Sequence, residues 1–112
     1  MKIAVTYENG QVFQHFGHTE QFKIYEAAEG KVVSARVVET GGSGHGALAG
    51  FLRGLGVDTL ICGGIGGGAR SALAEAGIQL YPGASGSADA QVEALLAGSL
   101  AYDPNTVCSH HD

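Results

Sequence analysis

The sequence predicts an α/β domain built on a mixed sheet of about five strands, with helices on both faces. Three observations carry that expectation. The first third is β-rich, and two of its runs, Phe22–Ala28 and Lys31–Glu39, meet at Glu29-Gly30 as a hairpin would. From residue 41 onward, helical and extended apolar patterns alternate, which is the pattern of parallel strands joined by helices. The 112 residues carry 19 glycines but only two prolines at an ordinary apolar content of 45%, so the glycines serve loops of a folded domain, not disorder or collagen.

Each element follows in order. Lys2–Thr6 reads as a buried strand, and Asn9-Gly10 as a tight turn. Gln11–Gln21 contains His15-Phe-Gly-His18 and shows no clear period. In the hairpin, Val33, Ala35 and Val37 alternate with Ser34 and Arg36, so this face of the second strand is expected to be buried. Gly41-Gly-Ser-Gly-His-Gly46 is a loop. Leu48, Phe51, Leu52 and Leu55 then recur at helical spacing, with Gly56 as the stop. Asp58–Cys62 is a strand, and Ala69, Ala72, Leu73 and Ala76 form the apolar face of a helix ended by Gly77. Ile78–Tyr81 is a short strand closed by Pro82-Gly83. Ser87 is a plausible N-cap for a helix that buries Val92, Leu95 and Leu96 and stops at Gly98. Asp89 in its first turn suits the positive end of the helix dipole. One domain over residues 1–102 and a flexible tail over 103–112 are expected.

Composition excludes several classes. A formal charge of −5 offers no electrostatic reason to bind nucleic acid or anionic lipid. No apolar run approaches the length of a membrane span. The opening residues read as a strand without the apolar core of a signal peptide, so a cytoplasmic location is expected. Two cysteines make no disulfide framework, and both are expected as thiols there.

Strand-helix-strand units are right-handed and parallel, and their ligands sit beyond the carboxyl ends of the strands. Glycine-rich segments 41–46, 63–68 and 83–86 follow three such strands, and the His15 segment follows the first. All four therefore share one rim if the first strand is parallel to the others. In Thr59-Leu-Ile-Cys-Gly-Gly-Ile-Gly-Gly-Gly-Ala-Arg70, glycines permit positive φ and close approach of a ligand to the backbone. The helix that follows presents bare N–H groups to an anion, which makes Gly64, Gly66, Gly67 and Gly68 binding candidates. Gly64–Ala69 also fits the dinucleotide pattern G-x-G-x-x-A, but no acidic residue ends the next strand to hold a ribose. No Lys-Ser/Thr pair follows for a P-loop. Tight helix–strand packing without any ligand competes with these readings.

His15 and His18 can share a metal ion if their segment turns, or can be ordinary loop histidines. His45, among glycines at a helix start, can donate to an anion or simply be solvated. Cys108-Ser-His-His-Asp112 mixes soft and harder ligands, without the second half of a zinc-finger pattern, and adventitious binding by a mobile tail competes with a metal role. No nucleophile elbow and no carboxylate pair suggests catalysis.

Val12-Phe-Gln-His-Phe-Gly17, Phe22-Lys-Ile-Tyr25 and Cys62-Gly-Gly-Ile-Gly-Gly-Gly-Ala69, in this order, resemble the dinitrogenase iron-molybdenum cofactor biosynthesis family. The resemblance covers about residues 1 to 100. It implies a ribonuclease-H-like three-layer α/β/α fold. It also implies a non-catalytic protein that binds or carries a metal–sulfide cluster, iron-sulfur or molybdenum-containing, or including another metal such as copper. His15, in the Gln-His-Phe-Gly17 motif, is the ligand the resemblance implies, and Cys62 lies in the Cys-Gly-Gly-Ile-Gly motif. Cluster-donor or acceptor proteins are the implied partners, with the chain a monomer or weak homodimer. Metal candidates are thus His15, His18, Cys62 and Cys108. A sulfide-bridged cluster is a bulky anion whose sulfurs accept hydrogen bonds from backbone N–H groups, and a chain so poor in cysteine suits loose holding and hand-over. Two other classes stay open: an enzyme or sensor that takes a phosphorylated small molecule at the same rim, and an interaction module with no ligand.

Overall fold

A computed structural model describes residues 1–41 and 45–105, with the backbone alone at 45 and 46. Strands β1 (Lys2–Glu8) and β2 (Gln11–Val12) form a short hairpin, and β3 (Gln21–Ala28) and β4 (Lys31–Glu39) a long one. Helix α1 (His45–Gly54), β5 (Thr59–Ile61), α2 (Gly67–Glu75), β6 (Gln79–Tyr81) and α3 (Ala88–Leu96) follow. Both hairpin turns have two consecutive residues at positive φ, Asn9 and Gly10 in one and Glu29 and Gly30 in the other. Their backbone twist matches that of the flanking strands. Gly56, Gly77 and Gly98 all have positive φ, as glycines that stop a helix do. Ser87 caps α3 by accepting a hydrogen bond from the Ala90 N–H at 3.2 Å.

The sheet runs β4-β3-β1-β5-β6, with β2 as a sixth strand paired to β1. β1, β5 and β6 are mutually parallel, and β3 is antiparallel to both β1 and β4. β4 is therefore parallel to β1, and the carboxyl ends of β1, β4, β5 and β6 lie on one rim, as the order of elements predicts. Alternation along the central strands splits the core into two layers. Ala4, Phe22, Ile24, Leu60 and Cys62 join Leu48, Leu52 and Leu73 beneath α1 and α2. Ile3, Val5, Tyr25 and Ile61 join Ala88 and Val92 beneath α3. The result is the expected three-layer α/β/α arrangement.

One expectation fails. The face of β4 carrying Val33, Ala35 and Val37 is exposed, and only Val38 packs against the core. β4 is an edge strand, and α3 comes alongside only its first residues, Lys31 and Val32. The alternation was real, but α3 does not extend over Val33 and Val37, which stay exposed.

Candidate functional site

The rim is assembled from backbone contacts among three segments. After β2 the chain is held against β1, where the Phe13 N–H donates to the Thr6 carbonyl at 2.9 Å and the Thr6 hydroxyl to the Phe13 carbonyl at 2.7 Å. It then runs parallel to the end of β5. The Gly64 N–H donates to the Gln14 carbonyl at 2.7 Å, and the Phe16 N–H to the Gly64 carbonyl at 3.1 Å, so His15 lies directly beside Gly64. On the other flank of β5, the Gly83 N–H donates to the Gly63 carbonyl at 2.9 Å and the Ala84 N–H to the Cys62 carbonyl at 3.0 Å. The Gln14 side-chain amide closes the arrangement by donating to the carbonyls of Val12 and Ala84, both at 3.1 Å. Two sequence motifs separated by almost fifty residues thus become neighbouring strands of one surface.

His15 is half-buried and packs edge-on against Phe13 and His18, with ring centroids 6.0 and 6.5 Å away. Gly17 and the exposed His18 belong to a 3-10 turn, Phe16–His18, pinned by the buried Phe16 ring. A cavity of about 450 Å³ opens beside His15, lined by Glu8, Gln11, Phe13 and Gln14 among others. Among the described residues no three His, Cys, Asp or Glu side chains converge in a way that would hold a metal ion.

The glycines of the rim divide into two kinds. A Cβ on Gly63 would fall 2.6 Å from Gln14 Oε1 and 2.7 Å from Gln14 Cα, so glycine there lets the His15 segment approach β5. Gly66, Gly67 and Gly68 have nothing within 4 Å of a would-be Cβ. Positive φ occurs at none of the glycines 63–68, so the loop does not use the conformational freedom that glycine permits. The chain bends at Gly63 after β5 and enters α2 through Gly66 at φ −82° and ψ 165°, a conformation open to any residue. Local sterics therefore do not demand bare backbone at 66–68. What bareness does there is leave the first N–H groups of α2 uncovered, and Gly66 supplies no side-chain cap.

The remaining candidates are placed as follows. Cys62 is fully buried under α1 and α2, and its Sγ lies 3.6 Å from the Gly63 carbonyl. Burial pushes the Cys62 thiol up to about 12, partly offset by the Arg70 charge, so the thiol stays protonated. His45 is the first residue of α1, and its side chain lies outside what is described, as does Cys108. Residues that sequence reasoning passed over are Gln14, Gly63 and Arg70. Arg70 closes the first turn of α2, where its guanidinium donates to the Pro104 carbonyl at 2.9 Å. The Asp103 N–H donates to the Pro82 carbonyl at 2.8 Å, and Tyr102 stacks edge-on against Tyr81. Residues 102–104 are thereby drawn along β6.

A three-layer α/β/α domain whose rim sets a histidine motif beside a glycine-rich helix start is the class that this fold and site define. The chain belongs to the dinitrogenase iron-molybdenum cofactor family, whose model matches residues 1–98. It is 32% identical over 105 residues to the uncharacterized protein MJ0580 of Methanocaldococcus jannaschii, covering 89% of each chain. It is 40% identical over 87 residues to the FeMo cofactor biosynthesis protein NifB of Sinorhizobium fredii, a match to 70% of this chain but only 18% of NifB. The apo form of the orange protein from Desulfovibrio gigas superposes with a TM-score of 0.79 at 29% identity, covering 92% of both chains. The resemblance read from residues 12–17, 22–25 and 62–69 is thus borne out. Membership ties the chain to iron-molybdenum cofactor biosynthesis or cluster binding. No described helix is long and apolar enough to cross a membrane.

Proposed function

We propose that this protein binds a metal–sulfur cluster at the His15–Gly64 rim and holds it for transfer, without catalysing a reaction of its own. The observation that carries the reading is the lateral pairing of His15 with Gly64, immediately before an uncapped helix start. His15 offers an imidazole nitrogen to a metal. The N–H groups of Gly66–Gly68 offer hydrogen bonds to sulfide, and Arg70 adds positive charge nearby. Three bare glycines in open space suit a bulky anion better than a single ion.

Within this reading His18 and Gly17 shape the edge of the site, and His45, the first residue of α1, is a further candidate. Cys108 is an auxiliary ligand at most. We assign Cys62 a packing role, because its thiol is buried and resists ionisation. Donor and acceptor proteins for the cluster are the partners, and the cytoplasm is the compartment in which a reduced cluster would be exchanged.

The test is anaerobic reconstitution with ferrous iron and sulfide, with and without molybdate or copper, followed by visible absorbance and bound metal. The wild-type protein should become coloured and retain metal through desalting. A protein that stays colourless and metal-free under every combination would overturn the reading.

A further inference from the structure

Residues 11–16 form a strip that changes neighbours along its length. At its start the Val12 N–H donates to the Gly86 carbonyl at 2.9 Å, so the strip lies against the loop before α3. Further on, the Gln14 carbonyl accepts from the Gly64 N–H at 2.7 Å, and the strip now follows the end of β5. The changeover is a bend at Gln14, between the end of β2 and the His15–Gly64 bridge. Whatever holds this bend fixes the direction in which His15 leaves it.

The Gln14 side chain holds it. Gln14 is an exposed residue, yet its amide nitrogen serves two backbone partners. It donates to the Val12 carbonyl, back along the strip, and to the Ala84 carbonyl across the rim, each at 3.1 Å. The first bond closes the bend on itself, and the second ties it to the segment that follows β6. A Cβ on Gly63 would come 2.6 Å from Gln14 Oε1 and 2.7 Å from Gln14 Cδ, so the bare backbone of Gly63 is what lets this side chain cross to Ala84. Two carbonyls require a group with two hydrogens to give, which an amide has and a carboxylate of the same length lacks. Beyond the bend, the His15 ring meets the Phe13 ring edge-on at 6.0 Å, and Phe13 is clamped to Thr6 by two hydrogen bonds. The imidazole keeps that neighbour only while the bend holds residues 13 and 15 together.

We infer that Gln14 is a positioning residue, whose amide staples the bend that aims the His15 imidazole. Both of its donors are spent on carbonyls, so it acts on cluster binding through His15 and not as a ligand itself. Its bearing on cluster binding rests on the reading of His15 as a ligand at the rim.

Gln14→Met removes the donors at similar length, and Gln14→Glu sets acceptors against two carbonyls. Gln14→Met, which adds no charge, carries the test if circular dichroism shows Gln14→Glu unfolded. In the metal-free protein, NMR cross-relaxation between the His15 and Phe13 rings, assigned by its loss in His15→Ala, should weaken in Gln14→Met and disappear in Gln14→Glu. Iron bound after anaerobic reconstitution with ferrous iron and sulfide should fall about threefold or more in either variant, the scale of one lost hydrogen bond. In a His15→Ala background the same substitutions should cause no further loss, because nothing is left to position. A merely structural role, or repulsion of an anion by the new glutamate, would lower uptake in that background too. Ring contacts unchanged in both variants would overturn the inference, as would equal losses with and without His15. If wild type and His15→Ala bind equal iron, the reading of the rim fails, and the ring contact alone decides the role of Gln14.

Discussion

His15 and Gly63 show how single positions carry this site by different means. His15 contributes chemistry, so His15→Ala should fold as wild type yet take up several-fold less cluster on anaerobic reconstitution. Unchanged metal binding would remove it from the site. Gly63 contributes space. Gly63→Ala pushes a methyl group into the Gln14 backbone, so it should cost on the order of 1–3 kcal/mol by denaturant unfolding and loosen the His15 segment with it. Cys62 sets an alkaline limit on stability. An unfolded cysteine loses its proton near pH 9, whereas the buried thiol holds it to about 12. Stability conferred by the neutral thiol is complete below pH 9 and falls as the pH rises toward 12, by at most about 1.4 kcal/mol per pH unit. Cys62→Ala should lower stability at neutral pH but flatten this slope. Tyr25, whose hydroxyl is likewise held neutral by burial and by Asp89, leaves a residual slope above pH 10. An unaltered slope in Cys62→Ala would show that this thiol ionises as freely in the folded protein as in the unfolded one.

At the scale of elements, the start of α2 separates folding from binding. Gly67 is the first residue of α2, in open space and without positive φ, so Gly67→Ala should leave stability unchanged or raise it slightly. If the bare backbone serves a cluster, uptake should still fall. Full uptake by this variant would leave helix–strand packing as the better account of the glycines. Helix α3 is tied to the sheet by Asp89, which accepts hydrogen bonds from the Lys23 ammonium at 2.8 Å and the Tyr25 hydroxyl at 2.5 Å. The Lys23 hydrogen bond, followed by that of Tyr25, holds the Asp89 carboxyl below its ordinary range. This contribution is therefore present above the usual carboxylate range and disappears as acid protonates Asp89. The side chain is 63% exposed, so salt should weaken the effect. Acid unfolding of Asp89→Asn should be less steep than that of wild type. An acid limb identical to wild type would show that the pair adds nothing.

For the molecule as a whole, the chain beyond Asn105 is expected to be dispensable. Truncation after Asn105 keeps the contacts of Tyr102, Asp103 and Pro104 along β6 and at Arg70. It should preserve the thermal midpoint and most cluster uptake. Cutting before Tyr102 should lower the midpoint, because the β6 edge and the Tyr81 ring would lose their cover. Loss of cluster on the shorter truncation, with His15→Ala unaffected, would move the metal site to the Cys108–His111 segment.

Most of the fold was legible along the chain because its signals are local. Turns at Asn9-Gly10 and Glu29-Gly30, glycine stops at 56, 77 and 98, and the Ser87 cap act within a few residues. Apolar spacing in α1 and α3 needs only the helical repeat. The family was legible too, since its motifs are contiguous. Partnership between distant segments was decided by tertiary structure alone. Alternation in β4 could not reveal that no helix covers Val33 and Val37, because burial depends on what lies opposite. Glycines 63–68 looked alike in sequence. Only the approach of Gln14 separates Gly63, where glycine is a steric requirement, from Gly66–Gly68, where it is not. The setting of His15 beside Gly64 was likewise out of reach of local rules, because a β-bridge forms between whatever segments the sheet brings side by side.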